Sequence, residues 1–150
     1  MEKSLFLAAL ASSLFMTGLI WFVQVVHYPL FAKVGPEAFS IYESLHTQKT
    51  GLVVGPVMLV ELLASLLWML VGLEQGHSWQ AWTIAALLGV IWLSTFFIQV
   101  PIHNELIQSF EPEKVRRLVS SNWLRTFAWT TKSGFMMWIL IKSHLFFMQT

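Results

Sequence analysis

Four long runs of apolar residues alternate with shorter polar connections along the 150-residue chain. The runs cover about residues 4–27, 52–73, 79–102 and 122–147. Each run reaches the roughly 20 residues that a helix needs to cross the hydrocarbon core of a bilayer. Because a helix satisfies its own backbone hydrogen bonds in lipid, the pattern predicts an all-α integral membrane four-helix bundle. A single domain over 1–150 then accounts for the whole sequence.

Two of the connections carry helical patterns of their own. Pro29 is expected to weaken the first helix, and Pro36 fits the first turn of a short helix over residues 37–50. The third run is expected to end near Pro101, and another short helix is predicted after Pro112. We therefore expect two short helices along the membrane interface, one between the first and second spans and one between the third and fourth.

Alternating crossings place four ends of the predicted spans on one side of the membrane. Most of the polar residues near the spans fall on that side: His27, Glu43, His46, His103, Asn122 and Arg125. The basic residues of the connections also favour it, and Lys and Arg are enriched in cytoplasmic loops. The pattern predicts a multi-pass protein of the cell inner (plasma) membrane, with its polar face in the cytoplasm and both termini outside.

The composition narrows the classes of partner and ligand. The chain is 56% hydrophobic and 11% charged, whereas roughly 25% of the residues of an average soluble domain are charged. A net charge of +1 argues against a nucleic-acid partner, which is usually met by a clustered basic face. The expected partners are the lipid bilayer and a lipophilic small molecule, and the pattern is compatible with a homo-oligomer.

Three histidines and one glutamate form the candidate metal site. Glu43 and His46 are three residues apart, a spacing that directs a carboxylate and an imidazole from one helix toward one point. The topology adds His27 and His103, and the absence of cysteine leaves imidazole, carboxylate and amide groups as ligands. Such ligands suit iron, copper, zinc or manganese more than calcium. A haem held by the histidines is the alternative cofactor, and the three histidines with Arg125 are the candidate catalytic residues.

Amide side chains accompany these histidines. Gln24 and Gln99 each lie three or four residues before a histidine, so each shares a helix face with an imidazole. We expect both glutamines to orient the imidazoles, and Asn122 to position the substrate or cofactor with Arg125. The alternative interpretations are interfacial histidines that hydrogen-bond these glutamines, a helix cap at Asn122 and an arginine that extends to the interface.

Two further charged residues lie deep in the predicted spans. Glu61 and Lys132 are each ten residues beyond the polar end of a run, which places both about 15 Å from the same surface. A buried ion pair is expected because unpaired charges in the bilayer cost far more. The pair either holds the second and fourth helices in register or serves as a proton relay or substrate contact. Arg125, Trp129 and Lys132 fall on one face of the fourth helix.

Short motifs in several parts of the chain resemble a known group of membrane proteins. They are WFVQVVHYPLF at 21–31, YESLH at 42–46, QVPIH at 99–103 and NWLR at 122–125. Together they resemble small bacterial four-span proteins similar to the anthrone oxygenase-like membrane family, over nearly the whole chain. Fungal members of that family oxidise anthrones to anthraquinones, so the resemblance implies oxygen-dependent chemistry on a lipophilic aromatic compound. The positions that it implies for a polar pocket are His27, His46, His103, Asn122 and Arg125.

These observations predict a membrane-embedded oxidoreductase that acts on a lipophilic, aromatic small molecule through a His/Glu metal site at one membrane face. The sequence leaves three alternatives open. They are a non-enzymatic carrier of a lipid or small ligand, a haem-binding membrane protein, and a structural accessory subunit. Each alternative uses the same polar face differently, so the positions of these side chains decide among them.

Overall fold

The computed structural model describes the backbone of residues 2–147 and the side chains of residues 2–142. Its helices are α1 (Glu2–Phe22), α2 (Tyr28–Phe31), α3 (Pro36–Glu74), α4 (Ser78–Ser94), α5 (Val100–Gln108) and α6 (Pro112–Phe147). Two five-residue π-helices complete them, π1 (Val23–His27) and π2 (Thr95–Gln99). The described residues contain no β-strand, so the predicted all-α class is confirmed.

The short interfacial helices expected between spans are not separate elements. Residues 37–50 form the first part of α3, and the residues after Pro112 form the first part of α6. Pro36 occupies the first turn of α3, as expected, but the helix then continues through Pro56. Glycine costs a helix only about 1 kcal/mol relative to alanine, so Gly51 and Gly55 do not end it.

Each π-helix lies just before a proline that the helix passes through. A proline within a helix lacks an N–H donor, and its ring clashes with the carbonyl four residues earlier. A π-turn replaces the usual bond with one that spans five residues. The backbone N–H preceding each proline makes this bond: Tyr28 to the carbonyl of Val23, and Val100 to that of Thr95. The expected ends near Pro29 and Pro101 are therefore corrected, because both helices continue beyond them.

Within residues 2–147, three helical segments are long and apolar enough to cross a membrane. They are Glu2–Phe31, Pro36–Glu74 and Ser78–Gln108. The sequence of α6, which has 36 residues, is interrupted by Arg125, Lys132 and Lys142 and is less apolar.

The helices pack around an interior that is apolar but also contains charged groups, and the outer surface is rich in apolar side chains. α1 packs on α3 and α6, and α4 packs on the same two helices. Glu43, Glu61 and Lys132 are fully buried, whereas Phe97 is 75% exposed and Leu52 is 73% exposed. Buried charges together with an outer surface rich in apolar side chains are unusual in a water-soluble domain and typical of a protein embedded in lipid.

Candidate functional site

Three of the four predicted metal ligands converge where α3 packs on α5. One ligand atom from each of Glu43, His46 and His103 lies within 4.8 Å of those of the other two. Glu43 and His46 come from adjacent turns of α3, as the Glu-x-x-His spacing predicted, and His103 comes from α5. The group therefore offers two imidazoles and one carboxylate to one point.

The carboxylate of Glu43 is buried and only partly hydrogen-bonded. Its Oε1 atom is hydrogen-bonded to Nδ1 of His103. Its Oε2 atom is buried and has no hydrogen-bond partner among the described residues. A buried polar atom without a partner costs about 1–3 kcal/mol, and more when it is charged. The cluster thus contains an acceptor that a cation or a donor from a ligand would satisfy.

His27 lies beside His46 and outside the group of converging ligand atoms. Its Nε2 atom is 2.9 Å from Nδ1 of His46. The same Nδ1 atom lies 3.1 Å from Oγ1 of Thr50, so this nitrogen of His46 is occupied by hydrogen bonds. The Nε2 atom of His46 is the nitrogen left for a ligand. In this position His27 and Thr50 fix the orientation of the His46 ring.

Tyr28, to which no sequence pattern assigned a functional role, also belongs to the site. Its hydroxyl lies 2.9 Å from Nε2 of His103 and interacts with the guanidinium of Arg125. Both ring nitrogens of His103 are therefore hydrogen-bonded, one to a carboxylate and one to a phenol, so a metal ion would bind Nδ1 in place of the hydrogen bond to Glu43. A tyrosine at the end of a membrane span usually indicates the lipid interface, so sequence alone gave no signal for this contact.

The expected contacts between the two glutamines and the imidazoles have to be corrected. Nε2 of Gln24 donates a hydrogen bond to the carbonyl of Val119, 3.0 Å away, and its Oε1 accepts one from Asn122 at 2.9 Å. Nε2 of Gln99 donates to Oγ of Ser121 at 2.9 Å. Both glutamines thus bind α6. The spacing of each glutamine from its histidine would place the two on one face of an α-helix. Both glutamines instead lie in π-helices, whose wider turns change which residues share a face.

Asn122 does not cap a helix, because it lies ten residues inside α6. Its side chain is fully buried and joins Gln24, and its Oδ1 atom has no hydrogen-bond partner among the described residues. It holds π1 against α6. It is absent from the lining of the pocket described next, so the expected contact with a substrate is not supported by its position.

A pocket of about 280 Å³ adjoins the cluster. Its polar lining includes Tyr28, His46, Thr50, Gln99, His103 and Arg125. Its apolar lining includes Met16, Leu19, Ile20, Val23 and Val54. A pocket with a few convergent polar groups and an otherwise apolar lining is the usual form of a small-molecule site.

Arg125 is only 7% exposed and does not extend to the interface. Its Cζ atom lies 5.1 Å from the ring centroid of Trp129, a cation–π contact. Its Nε atom has no hydrogen-bond partner, and its guanidinium forms no salt bridge among the described residues. The pocket therefore contains a buried cation whose described neighbours are a phenol and an indole.

The structure brings Glu61 and Lys132 together in the interior. Nζ of Lys132 lies 2.7 Å from Oε1 of Glu61, and neither side chain is exposed. Lys132 also donates to Ser13 at 2.8 Å and to Ser65 at 3.1 Å, so each of its three N–H donors has an acceptor. Nε1 of Trp129 donates to Glu61 at 2.9 Å. This satisfied network joins α1, α3 and α6 and has the character of a structural element.

Comparison of the chain with protein-family models, with curated proteins and with solved structures found no match. The resemblance to the anthrone oxygenase-like family stays a prediction.

Proposed function

We propose that the protein is a membrane-embedded, metal-dependent oxidoreductase that acts on a lipophilic small molecule. The observation that carries this proposal is the convergence of Glu43, His46 and His103 beside a pocket with a largely apolar lining. Two histidines and one carboxylate with open positions are the donor set of non-haem iron(II) oxygenases. Iron is therefore the metal that the proposal favours over copper and zinc.

Two features of the cluster support a metal ion. The buried Oε2 atom of Glu43 lacks a donor among the described residues, and a cation would satisfy it. The hydrogen bonds of His46 Nδ1 to His27 and Thr50 hold the imidazole in one orientation, as hydrogen bonds to metal-binding histidines usually do. These features fit a resident metal better than a cluster that only faces lipid headgroups.

The resemblance implies oxidation of a methylene group to a carbonyl with dioxygen as the oxidant. Two C–H bonds break and a C=O bond forms, while one oxygen atom enters the product and the other leaves as water. No further reductant is needed for this balance. A bound iron supplies the activation of dioxygen. The chain's own contribution is to bind and orient the lipophile, through Arg125 and the apolar lining, and to hold the ligands in place.

We place α6 in the membrane as a fourth crossing, which completes a four-helix bundle. It packs along α1 and α4, and both belong to segments apolar enough to cross a bilayer. Its basic residues Arg125 and Lys132 face the interior, while Leu124 and Phe127 are exposed. The mean hydropathy of α6 therefore understates how apolar its outer face is.

The first turns of α3 and α6 extend out of the hydrocarbon core in this arrangement. The 39 residues of α3 span about 58 Å, against about 30 Å of hydrocarbon. At the start of α6, Lys114 lies 3.2 Å from Glu105 and 2.8 Å from Glu111 in exposed ion pairs, which suits water. The bias of Lys and Arg toward this end places it in the cytoplasm of the plasma membrane, with both termini outside.

Metal analysis tests the proposal. Protein purified in detergent is loaded anaerobically with iron(II) and, in parallel, with copper and zinc, and elemental analysis then gives the metal content. We expect one iron per chain in the wild type and none in Glu43→Ala, His46→Ala or His103→Ala. His77→Ala is the control, because His77 lies in the turn between α3 and α4. Wild-type protein that retains no stoichiometric metal overturns the proposal, and a Soret band that depends on these histidines redirects it to haem.

A non-enzymatic carrier of small ligands is the second candidate. It is favoured by the hydrogen bonds that the three histidines already make without a metal, to Tyr28, to Glu43 and to each other. This function predicts a ligand that copurifies with the wild type and is retained after removal of metal. A ligand whose retention requires His46 and metal together supports the enzyme instead.

A further inference from the structure

We propose that the pocket takes a small lipophilic carboxylate, with its charged group on Arg125 and its apolar part between α1 and α3. This inference deepens the proposed function, and it rests on that function only in calling the carboxylate a substrate. Binding of the carboxylate itself requires no metal.

The charge of Arg125 is the first reason to expect an anionic ligand. Arginine stays protonated in proteins, and an unpaired charge at membrane depth is costly. Lys132, seven residues later on the same helix, has a carboxylate partner and an acceptor for each donor. Arg125 has the hydroxyl of Tyr28 and the ring of Trp129, which are both neutral. The two basic residues thus have equal charge and similar burial, but among the described side chains only Lys132 has an anionic partner.

The shape of the guanidinium is the second reason, and it favours a carboxylate. Its Nε atom is buried without an acceptor among the described residues. Nε and the adjacent Nη atom form one edge of the guanidinium, and such an edge binds the two oxygens of a carboxylate in parallel. The described residues that line the pocket include no other side chain with a permanent positive charge. A group with a single negative charge therefore matches the site better than a phosphate dianion.

The lining and volume of the pocket indicate the polarity and size of the rest of the ligand. Met16, Leu19 and Ile20 of α1 and Val54 of α3 form the apolar wall. A volume of about 280 Å³ lies at the lower end of the roughly 300–1,000 Å³ of small-molecule pockets. The pocket therefore suits a bicyclic aromatic acid or a short fatty acid and excludes a lipid with two acyl chains.

Two glycines open the wall on α3. Gly51 and Gly55 both line the pocket, and a Cβ atom built at either one meets nothing within 4 Å. Gly51 and Val100 also line the pocket and are exposed on the outer surface. In a bilayer this edge faces lipid, so the ligand enters from the membrane.

Binding of a matched pair of probes tests the inference. The probes are 2-naphthoate and its uncharged methyl ester, titrated into metal-free protein in detergent, with binding followed by calorimetry. A hydrogen-bonded charge predicts that wild-type protein binds the acid roughly ten- to hundredfold more tightly than the ester. Arg125→Gln should bind both probes equally. Arg125→Lys, which keeps the charge and loses the fork, should retain part of the preference.

A second variant tests the location without removing a charge. Gly55→Leu should fill the pocket and weaken binding of both probes at least tenfold. Gly18→Leu is the control, because Gly18 lies on α1 outside the pocket and a Cβ there also meets nothing within 4 Å. Thermal unfolding shows which variants are folded. If Arg125→Gln does not fold, Gly55→Leu and Arg125→Lys still test the inference.

The outcomes separate this inference from the proposed function. Equal binding of the acid and the ester by wild-type protein overturns the inference, as does a preference that survives in folded Arg125→Gln. So does undiminished binding in Gly55→Leu. None of these results affects the metal content. Conversely, preference for the acid in a protein that never retains metal supports the inference and overturns the oxidoreductase.

Discussion

The hydroxyl of Tyr28 lies 2.9 Å from Nε2 of His103, and it connects the two halves of the site. On one side His103 is hydrogen-bonded to the buried carboxylate of Glu43. On the other side the same hydroxyl interacts with Arg125. A single phenol therefore links the proposed metal ligands with the proposed anion-binding group.

Replacement of Tyr28 by phenylalanine tests this link. Tyr28→Phe removes the partner of His103 Nε2, and outer hydrogen bonds of this kind are worth about 10–100-fold in metal affinity. We expect iron affinity to fall by that factor while stoichiometry at saturation stays at one. Tyr42→Phe is the control, since the ring of Tyr42 stacks on His46 but its hydroxyl makes no hydrogen bond in the described part of the chain. Equal effects in the two variants would contradict the account.

Replacement of His27 and of His46 should affect iron binding in different ways, because only His46 is a proposed ligand. His27→Ala removes the hydrogen bond to Nδ1 of His46, so iron affinity should fall about 10–100-fold while excess iron restores full occupancy. His46→Ala should retain no iron at any concentration tested. Titration of iron(II) against a competing chelator measures both. If excess iron does not restore occupancy in His27→Ala, His27 is a ligand and the division between these residues is incorrect.

The buried ion pair should behave as a coupled unit. Glu61→Gln or Lys132→Met alone leaves an unpaired charge and should lower the free energy of unfolding by about 3–5 kcal/mol. The double variant should be destabilised by much less than the sum. Denaturant unfolding in detergent micelles gives the coupling energy. The exposed pair Glu113 and Arg116 is the comparison, where little coupling is expected because water and salt screen the two charges. Additive losses in the double variant would contradict the coupling of Glu61 and Lys132.

The π-helix before Pro101 should be required for the site. Pro101→Ala removes the ring that prevents a regular helix, so α-helical bonding can replace the π-turn and shift the following residues by one position. Such a shift turns His103 by about 100° around the helix axis, and iron binding should be lost while thermal stability is kept or raised. Pro56→Ala is the control, because Pro56 lies inside a regular helix. Full iron binding by Pro101→Ala would show that the site does not require the π-helix.

The sequence predicted the helices and the convergence of three ligands because both depend on simple periodicities. Long apolar runs require helices in lipid, and the spacing of Glu43 and His46 places both on one side of any helix. The sequence also placed His103 near these two residues. Successive spans run in opposite directions, so the end of the third span lies at the same side as the start of the second. These predictions needed no detail of the turns.

The contacts of Gln24, Gln99 and Tyr28 could not be read from the sequence. A proline in a run indicates a break or a kink, and the sequence does not reveal that a π-turn absorbs it. That turn changes which way the preceding glutamines face, so they bind α6. The contact of Tyr28 with His103 depends on the approach of two distant helices, which no local pattern encodes.

X-ray absorption at the iron edge of loaded wild-type protein tests the central claim most directly. The account predicts imidazole scattering from two histidines together with oxygen ligands in the wild type, and no bound iron in His46→Ala. An iron spectrum without imidazole scattering, or one that His46→Ala leaves unchanged, contradicts the account.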